Sequence, residues 1–214
     1  MIHLPEVTLL IYNPDKNPNI SARVLNYICE SISFGAVKHL TSSPPKIPCV
    51  GEYIYVPNNS WEEGQRMQAY GLNEYFDTPF LLHVETDGFP VNPHLWKDEF
   101  LKYDYIGAPW PAWIAMNNRI GNGGCSLQSK KFRQFLWDNK DKYVSKMPSD
   151  VWFCQYMYEE MMGHIKFAPL HIAMEFSLEL IIEEYPYWDW TRSFAFHGKY
   201  PHLNTPRNLI NKYI

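Results

Sequence analysis

The stretch FLLHVETDGFP sets two acids, Glu85 and Asp87, directly after the apolar run Phe80 to Val84. Carboxylates two residues apart at the carboxyl end of a strand can reach one site if the chain bends after them, and Gly88 permits such a bend. Hard oxygen donors of this kind suit Mn²⁺ or Mg²⁺, ions that join protein carboxylates to substrate phosphates. The plain alternative is a solvated turn in which Asp87 caps backbone N–H groups. Far along the chain, FAFHGKY places His197 between an aromatic run and a glycine. Its imidazole would give a nitrogen to the same ion, and Lys199 would neutralise a phosphate; a packed or surface histidine is the plain reading. IGNGGCSL carries Asn122, Gly123 and Gly124, either a backbone that a ligand can approach closely or a tight turn. PSDVWF puts Asp150 at a helix start that Ser149 would cap. There it is either a stabilising first-turn acid or a carboxylate acting at a reaction centre as base or electrostatic stabiliser. At least one of Trp110 and Trp113 in APWPAW would line a cleft and stack on a sugar, or else they anchor their own loop.

Positioning these residues requires strand ends. The run Val7 to Tyr12 reads as a buried strand ending at Asn13-Pro14. Ile20, Val24, Ile28 and Ile32 recur at four-residue spacing and predict a helix from Asn19. A strand over 36–40, the Pro-rich loop SSPPKIP and the strand EYIYV follow. Ser60-Trp61-Glu62-Glu63 is a capping box opening a helix to about Phe76. After FLLHVE come a helix over 94–102, the strand YDYIGA, a short strand over 123–127 and helices over 129–138 and 151–162. HIKFAP is a late strand, and from Ile182 the chain is aromatic and irregular. Strands alternating with helices imply an α/β fold with a mostly parallel central sheet flanked by helices. In open α/β sheets ligands sit at the carboxyl ends of strands, which is where Glu85 and Asp87 fall. No G-x-G-x-x-G follows the first strand and no P-loop occurs.

Composition narrows the function classes. With 46% hydrophobic and 20% charged residues over 214 positions, the chain can bury a full core and reads as one domain. A formal net charge of −4 without a Lys/Arg block argues against nucleic-acid binding. The four cysteines lie far apart without C-x-x-C, so neither a zinc cluster nor a disulfide framework is signalled. The N-terminus has no basic segment before its short apolar run, and no stretch reaches membrane-spanning length. The expectation is a soluble cytoplasmic protein with no membrane span. The closing NLINKYI carries no clear cap, which fits a piece of a longer polypeptide with further domains.

Taken in order, TDGF, YDYIGAPW, GNGG-x-SL, the Asp-Val helix start, F-AP and FHG resemble nucleotide-sugar-dependent glycosyltransferases of the GT-A fold. More narrowly they resemble a small group that includes the N-terminal glycosyltransferase domain of a large chlorella-virus protein. The resemblance runs from Phe80 to Gly198, with the Val7 to Tyr12 strand fitting the start of the fold. It implies a single GT-A-like domain over 1–214, with 1–110 mainly binding the nucleotide-sugar and 111–214 mainly forming the acceptor half together with a C-terminal metal/diphosphate segment. Glu85-Thr86-Asp87 stands where that fold carries its Asp-x-Asp signature, which implies Asp87 as the direct metal ligand, with Glu85 standing in place of the first Asp. His197 matches the C-terminal histidine used for metal or diphosphate. Gly123 and Gly124 match the segment facing donor sugar and acceptor, Asp150 matches the helix-start acid that is the base in inverting members, and Tyr12 and Asn13 would meet the base. The implied activity is transfer of a hexose or deoxyhexose from a UDP-sugar to a glycan or glycoprotein acceptor, with a lean to retention. A viral setting, in host cytoplasm, is implied by the narrower likeness.

Two other classes compete. A sugar-nucleotide hydrolase or nucleotidyltransferase would use a similar sheet, but 13–19 lacks the Gly-rich basic loop of the latter. A non-catalytic carbohydrate-binding module would use the aromatic residues and need neither Asp87 nor His197.

Overall fold

The computed structural model describes residues 1–14 and 17–198. Its centre is a six-stranded sheet whose strands run, from edge to edge, through residues 52–55, 32–41, 2–12, 80–84, 125–129 and 105–106. The chain opens with β1 (Ile2–Tyr12), longer at its start than the apolar run suggests. Helix α1 (Pro18–Cys29) follows, with Pro18 at its first turn and Asn17 accepting from the Asn19 N–H. Ile32, which continues the helix spacing, instead opens β2 (Ile32–Thr41), and β3 (Glu52–Tyr55) completes that edge. β1 pairs in parallel with β2 and with β4 (Phe80–Val84), and β2 in parallel with β3.

Alternation along β1 explains its unbroken apolar sequence. Val7, Leu9 and Ile11 pack with Val24, Leu25 and Ile28 of α1 on one face. Leu10 and Tyr12 pack with Leu40, Leu72 and Leu81 on the other. Both faces are covered, so both sets must be apolar.

Between β3 and β4 lies α2 (Trp61–Ala69), where the capping box forms on both sides. It ends well before Phe76: Tyr70 leaves helical geometry and 71–75 continue as a tighter 3₁₀ helix. β5 (Gly88–Pro90) follows β4 after a tight turn. The helix expected over 94–102 is replaced by two short 3₁₀ turns, Pro93–Leu95 and Asp98–Lys102. The strand in YDYIGA is short, β6 (Tyr105–Ile106), and it pairs antiparallel with β7 (Cys125–Ser129). β7 also runs antiparallel to β4, so the sheet is mixed at this end rather than parallel throughout. Helix α3 (Lys130–Asp138) is capped by Ser129, whose side chain accepts from the Phe132 N–H.

Ser149 is not a cap. It is the first residue of α4 (Ser149–Val151), after Pro148, and Asp150 is the second. The helix then widens into a π turn over Trp152–Tyr156 and resumes as α5 (Tyr158–Met161), so 151–162 is not one continuous helix. HIKFAP contributes one bridge, Phe167 with Tyr105, rather than a strand. After α6 (Leu170–Phe176) come β8 (Ser177–Leu178) and β9 (Ala195–His197), which form a second sheet ordered β5-β9-β8. Among the described residues no helix is long and apolar enough to cross a membrane.

Candidate active site

Where β4 ends, Glu85 and Gly88 close a tight turn by two backbone hydrogen bonds, Glu85 N to Gly88 O at 2.9 Å and Gly88 N to Glu85 O at 3.2 Å. Thr86 and Asp87 form its tip. Gly88 is not the bend: it is the first residue of β5 and has no positive φ. A side chain there is excluded for another reason, since a Cβ would fall 2.5 Å from His197 Cδ2 and 2.8 Å from Gly124 O. β5 runs antiparallel to β9 with Gly88 opposite His197. The small second sheet thereby brings together the two motifs that lie more than a hundred residues apart.

Donor atoms of Glu85, Asp87 and His197 lie within 4.8 Å of one another, and all three residues are partly buried. His197 Nε2 is 3.8 Å from Glu85 Oε2, an ion-pair distance rather than a hydrogen bond. Its Nδ1 meets Glu179 Oε1 at 3.1 Å. Burial alone would push the His197 imidazole down, but Glu179 and then Glu85 outweigh it and lift the pKa to about 10. One Asp87 oxygen, Oδ1, is buried without a hydrogen-bond partner among the described residues. Such an atom is costly unless something else satisfies it. Two carboxylates and an imidazole, with one of the carboxylate oxygens buried and unpartnered among the described residues, fit a hard divalent cation.

The GNGG loop carries its share by contact with neighbouring side chains. Asn122 takes a φ of 54°, the left-handed conformation that asparagine tolerates better than other non-glycine residues. Its side chain accepts from Gly124 N at 3.0 Å and donates to Glu179 Oε2. Gly123 O accepts from His83 Nδ1 at 2.8 Å, and Gly123 N points to Asp150 Oδ2 at 3.4 Å. Gly124 lies against His197: a Cβ there would fall 2.1 Å from Nε2. Close approach at Gly124 therefore serves a side chain of this same protein.

Asp150 stands beside this loop. Partial burial raises its carboxyl above the usual range, against the backbone hydrogen bonds from Gly123 and Val151, which lower it. Glu179 adds to the rise and His197 opposes it.

Next to the three metal-ligand candidates is a cleft of about 290 Å³. Tyr12 and Asn13 line it from the end of β1, and Thr86 and Glu85 from the turn after β4. The opposite wall comes from α2 through Trp61, Gln65 and Gln68. Gln68 Nε2 approaches Glu85 Oε1 at 3.5 Å, and Gln65 Oε1 accepts from Ser149 N at 2.7 Å. α2 thus spans from the acidic turn to the start of the Asp150 helix.

Of the residues singled out in the sequence, Glu85, Asp87 and His197 converge, Asp150, Gly123 and Gly124 adjoin them, and Tyr12, Asn13 and Thr86 lie in the cleft. Lys199 lies outside the described residues. Neither loop tryptophan lines the cleft. Trp110 is buried, with its ring where a Gly121 side chain would stand, and Trp113 is 77% exposed. Sequence reasoning missed Glu179, Gln65, Gln68 and Trp61. The capping box pointed to α2, but nothing local says that its face turns toward the acidic turn.

Solved structures share this architecture. A glycosyltransferase involved in glycosylation of the major capsid of PBCV-1 aligns with a TM-score of 0.54 at 10% identity, covering 97% of both chains. The galactosyltransferase LgtC, solved with donor and acceptor sugar analogues, aligns with a TM-score of 0.55 at 12% identity, over 96% of this chain and 94% of its own. Glycosyltransferase GlyE of Streptococcus pneumoniae TIGR4 gives 0.57 at 11% identity, over 96% of this chain and 59% of its own. The fold is that of GT-A glycosyltransferases. No curated protein matches by sequence. A family profile described as "Protein of unknown function (DUF5672)" matches residues 68–197, from Gln68 on the cleft wall to His197 in the Glu85, Asp87 and His197 cluster. That match spans more than half of the chain, and the chain therefore belongs to the DUF5672 family.

Proposed function

We propose that the protein is a metal-dependent glycosyltransferase that moves a hexose or deoxyhexose from a UDP-sugar to a glycan acceptor. The observation that carries this reading is the convergence of Glu85, Asp87 and His197 beside a cleft that shares Glu85 and the end of β1. Asp87, His197 and Glu85 would hold Mn²⁺ or Mg²⁺. Such an ion supplies Lewis-acid stabilisation of the charge that grows on a departing diphosphate. Tyr12 and Asn13 would meet the nucleoside, and Thr86 and the Gly123-Gly124 segment the donor. Lys199, by residue type, would neutralise phosphate charge.

Asp150 is the acid left for the sugar. Its raised pKa makes it a better proton acceptor than an ordinary aspartate. If the acceptor hydroxyl lies in line with the leaving group, Asp150 takes its proton and the sugar inverts. If the acceptor enters on the leaving-group face, the configuration is retained and Asp150 stabilises positive charge on the sugar. Family resemblance favours retention. The reading takes the whole chain as one domain, with 1–110 serving mainly the donor and 111–214 mainly the acceptor. The PBCV-1 relative's part in capsid glycosylation makes a viral capsid glycoprotein, in host cytoplasm, the acceptor to try first.

Calorimetric titration of UDP, with GDP as control, tests this with Mn²⁺ and again after EDTA. Expected is UDP-selective binding that needs Mn²⁺, and its loss by at least about 100-fold in Asp87→Ala, beyond what outer-sphere metal partners cost. Full turnover in folded Asp87→Ala overturns the assignment. Absence of nucleotide binding by folded protein moves the reading to a carbohydrate-binding module.

A further inference from the structure

We infer that Glu179 is a positioning residue that turns His197 Nε2 toward Glu85 and Asp87 and ties that histidine to the Asn122 loop. The inference rests on reading Glu85, Asp87 and His197 as metal ligands.

Register supplies the first step. Ser177 and Leu178 of β8 pair in parallel with Ala195 and Phe196 of β9. The next residue on each chain is Glu179 on one side and His197 on the other, so the pairing leaves them neighbours. Both oxygens of the Glu179 carboxylate are engaged: Oε1 accepts from His197 Nδ1 at 3.1 Å, and Oε2 accepts from Asn122 Nδ2. Glu179 is only 8% exposed. A carboxylate this buried carries a desolvation cost that an apolar side chain would not. Its two hydrogen bonds, rather than packing, account for its presence.

Those bonds settle which face of the imidazole meets the acids. With Nδ1 donated to Glu179, Nε2 is the nitrogen left to point at Glu85, 3.8 Å away. Gly88 and Gly124 flank the ring so closely that a methyl on either would overlap it. They leave the ring room, and Glu179 fixes its orientation within that room. An outer-sphere carboxylate on the second nitrogen is a recurrent way to fix the tautomer and orientation of a metal-binding histidine. Here the same carboxylate reaches a second element. Asn122 holds a left-handed backbone, and its Oδ1 accepts from Gly124 N. Glu179 is thus hydrogen-bonded to the histidine and to the loop packed on it.

The test uses two readouts on wild type, Glu179→Gln, Glu179→Ala and Asp87→Ala. Long-range ¹H–¹⁵N spectra of histidine-labelled protein report the His197 ring nitrogens, and electron paramagnetic resonance of free Mn²⁺ gives its affinity. Expected in wild type is a slowly exchanging Nδ1 proton that Glu179→Ala loses. Mn²⁺ affinity should fall about 10- to 100-fold in Glu179→Ala. Glu179→Gln should fall less than Glu179→Ala, because its amide oxygen still accepts from one of the two donors while its N–H opposes the other. A folded Glu179→Gln and Glu179→Ala with wild-type Mn²⁺ affinity, while Asp87→Ala binds none, overturns the inference alone. A lowered unfolding temperature with unchanged ring signals and affinity overturns it too, in favour of a purely structural role. Failure of wild type itself to bind Mn²⁺ removes the metal reading along with it.

Discussion

Gly124 has only a hydrogen where any other residue would strike the histidine of the candidate metal site. Its added Cβ would stand 2.1 Å from His197 Nε2, and the ring has no retreat because Gly88 bounds it on another side. Gly124→Ala is therefore expected to displace the ring. It should cost about 1–3 kcal/mol in urea unfolding, the range for overpacking, and weaken Mn²⁺-dependent UDP binding by more than about tenfold. Gly123→Ala is the control: its methyl would meet Asp150 Cβ at 3.5 Å and Phe153 Cζ at 3.7 Å, ordinary contacts. It should stay within about 0.5 kcal/mol of wild type. Equal losses in both variants would show that the loop, and not the histidine, sets the requirement. At this scale the sequence told residue types but not directions. Gly-rich spacing reads as room for a ligand, while the contact that actually needs the room at Gly124 comes from the same chain. Glu179 had no signal at all, because its meaning depends on a partner eighteen residues away in the three-residue β9.

Helix α2 shows how much an element can be read locally. Its only fully buried residue is Ala69, so packing holds it weakly and its N-terminus matters more than usual. Ser60 Oγ accepts from Glu63 N at 3.3 Å, and Glu63 Oε2 accepts from Ser60 N at 2.9 Å. Ser60→Ala should cost about 1 kcal/mol. Hydrogen exchange should show faster opening over 61–68 than elsewhere. In the proposed reading nucleotide affinity falls with it, because Trp61, Gln65 and Gln68 wall the cleft. Unchanged exchange over 61–68 would place the stability of α2 in its tertiary contacts instead. The cap was legible because both partners lie within four residues. Long apolar runs were legible for the same reason, as with β1 and β4. The second sheet was not, since strands of two or three residues carry no periodicity. The π turn that divides the helix after Asp150 leaves no pattern either, and neither does the antiparallel direction of β7.

At the scale of the molecule, ordered motifs led to the fold family because together they span Phe80 to Gly198, while each alone is only a few residues long. The sheet also buries groups that make stability depend on pH. His39 on β2 is fully buried, with Ser21 Oγ at 2.7 Å from Nε2 and Cys49 Sγ at 3.7 Å from Nδ1, and neither partner carries a compensating negative charge. Burial lowers its pKa to about 4. In the unfolded chain the same histidine takes up a proton near pH 6.5. Above that pH both states are neutral there and the native state is undisturbed. As pH falls from about 6.5 toward about 4, the unfolded state binds the extra proton first, so stability drops; below about 4 the loss is complete. The size is on the order of 2 kcal/mol once residual solvent screening is discounted. Carboxylates titrate in the same interval, so the difference between wild type and His39→Gln isolates this contribution. Urea unfolding at pH 7 and pH 4.5 should show a smaller drop for His39→Gln, whose amide can still reach Ser21. Equal drops in the two proteins would mean that the His39 pocket admits a charged imidazole, and that the edge of the sheet carrying β2 and β3 opens more readily than its packing indicates.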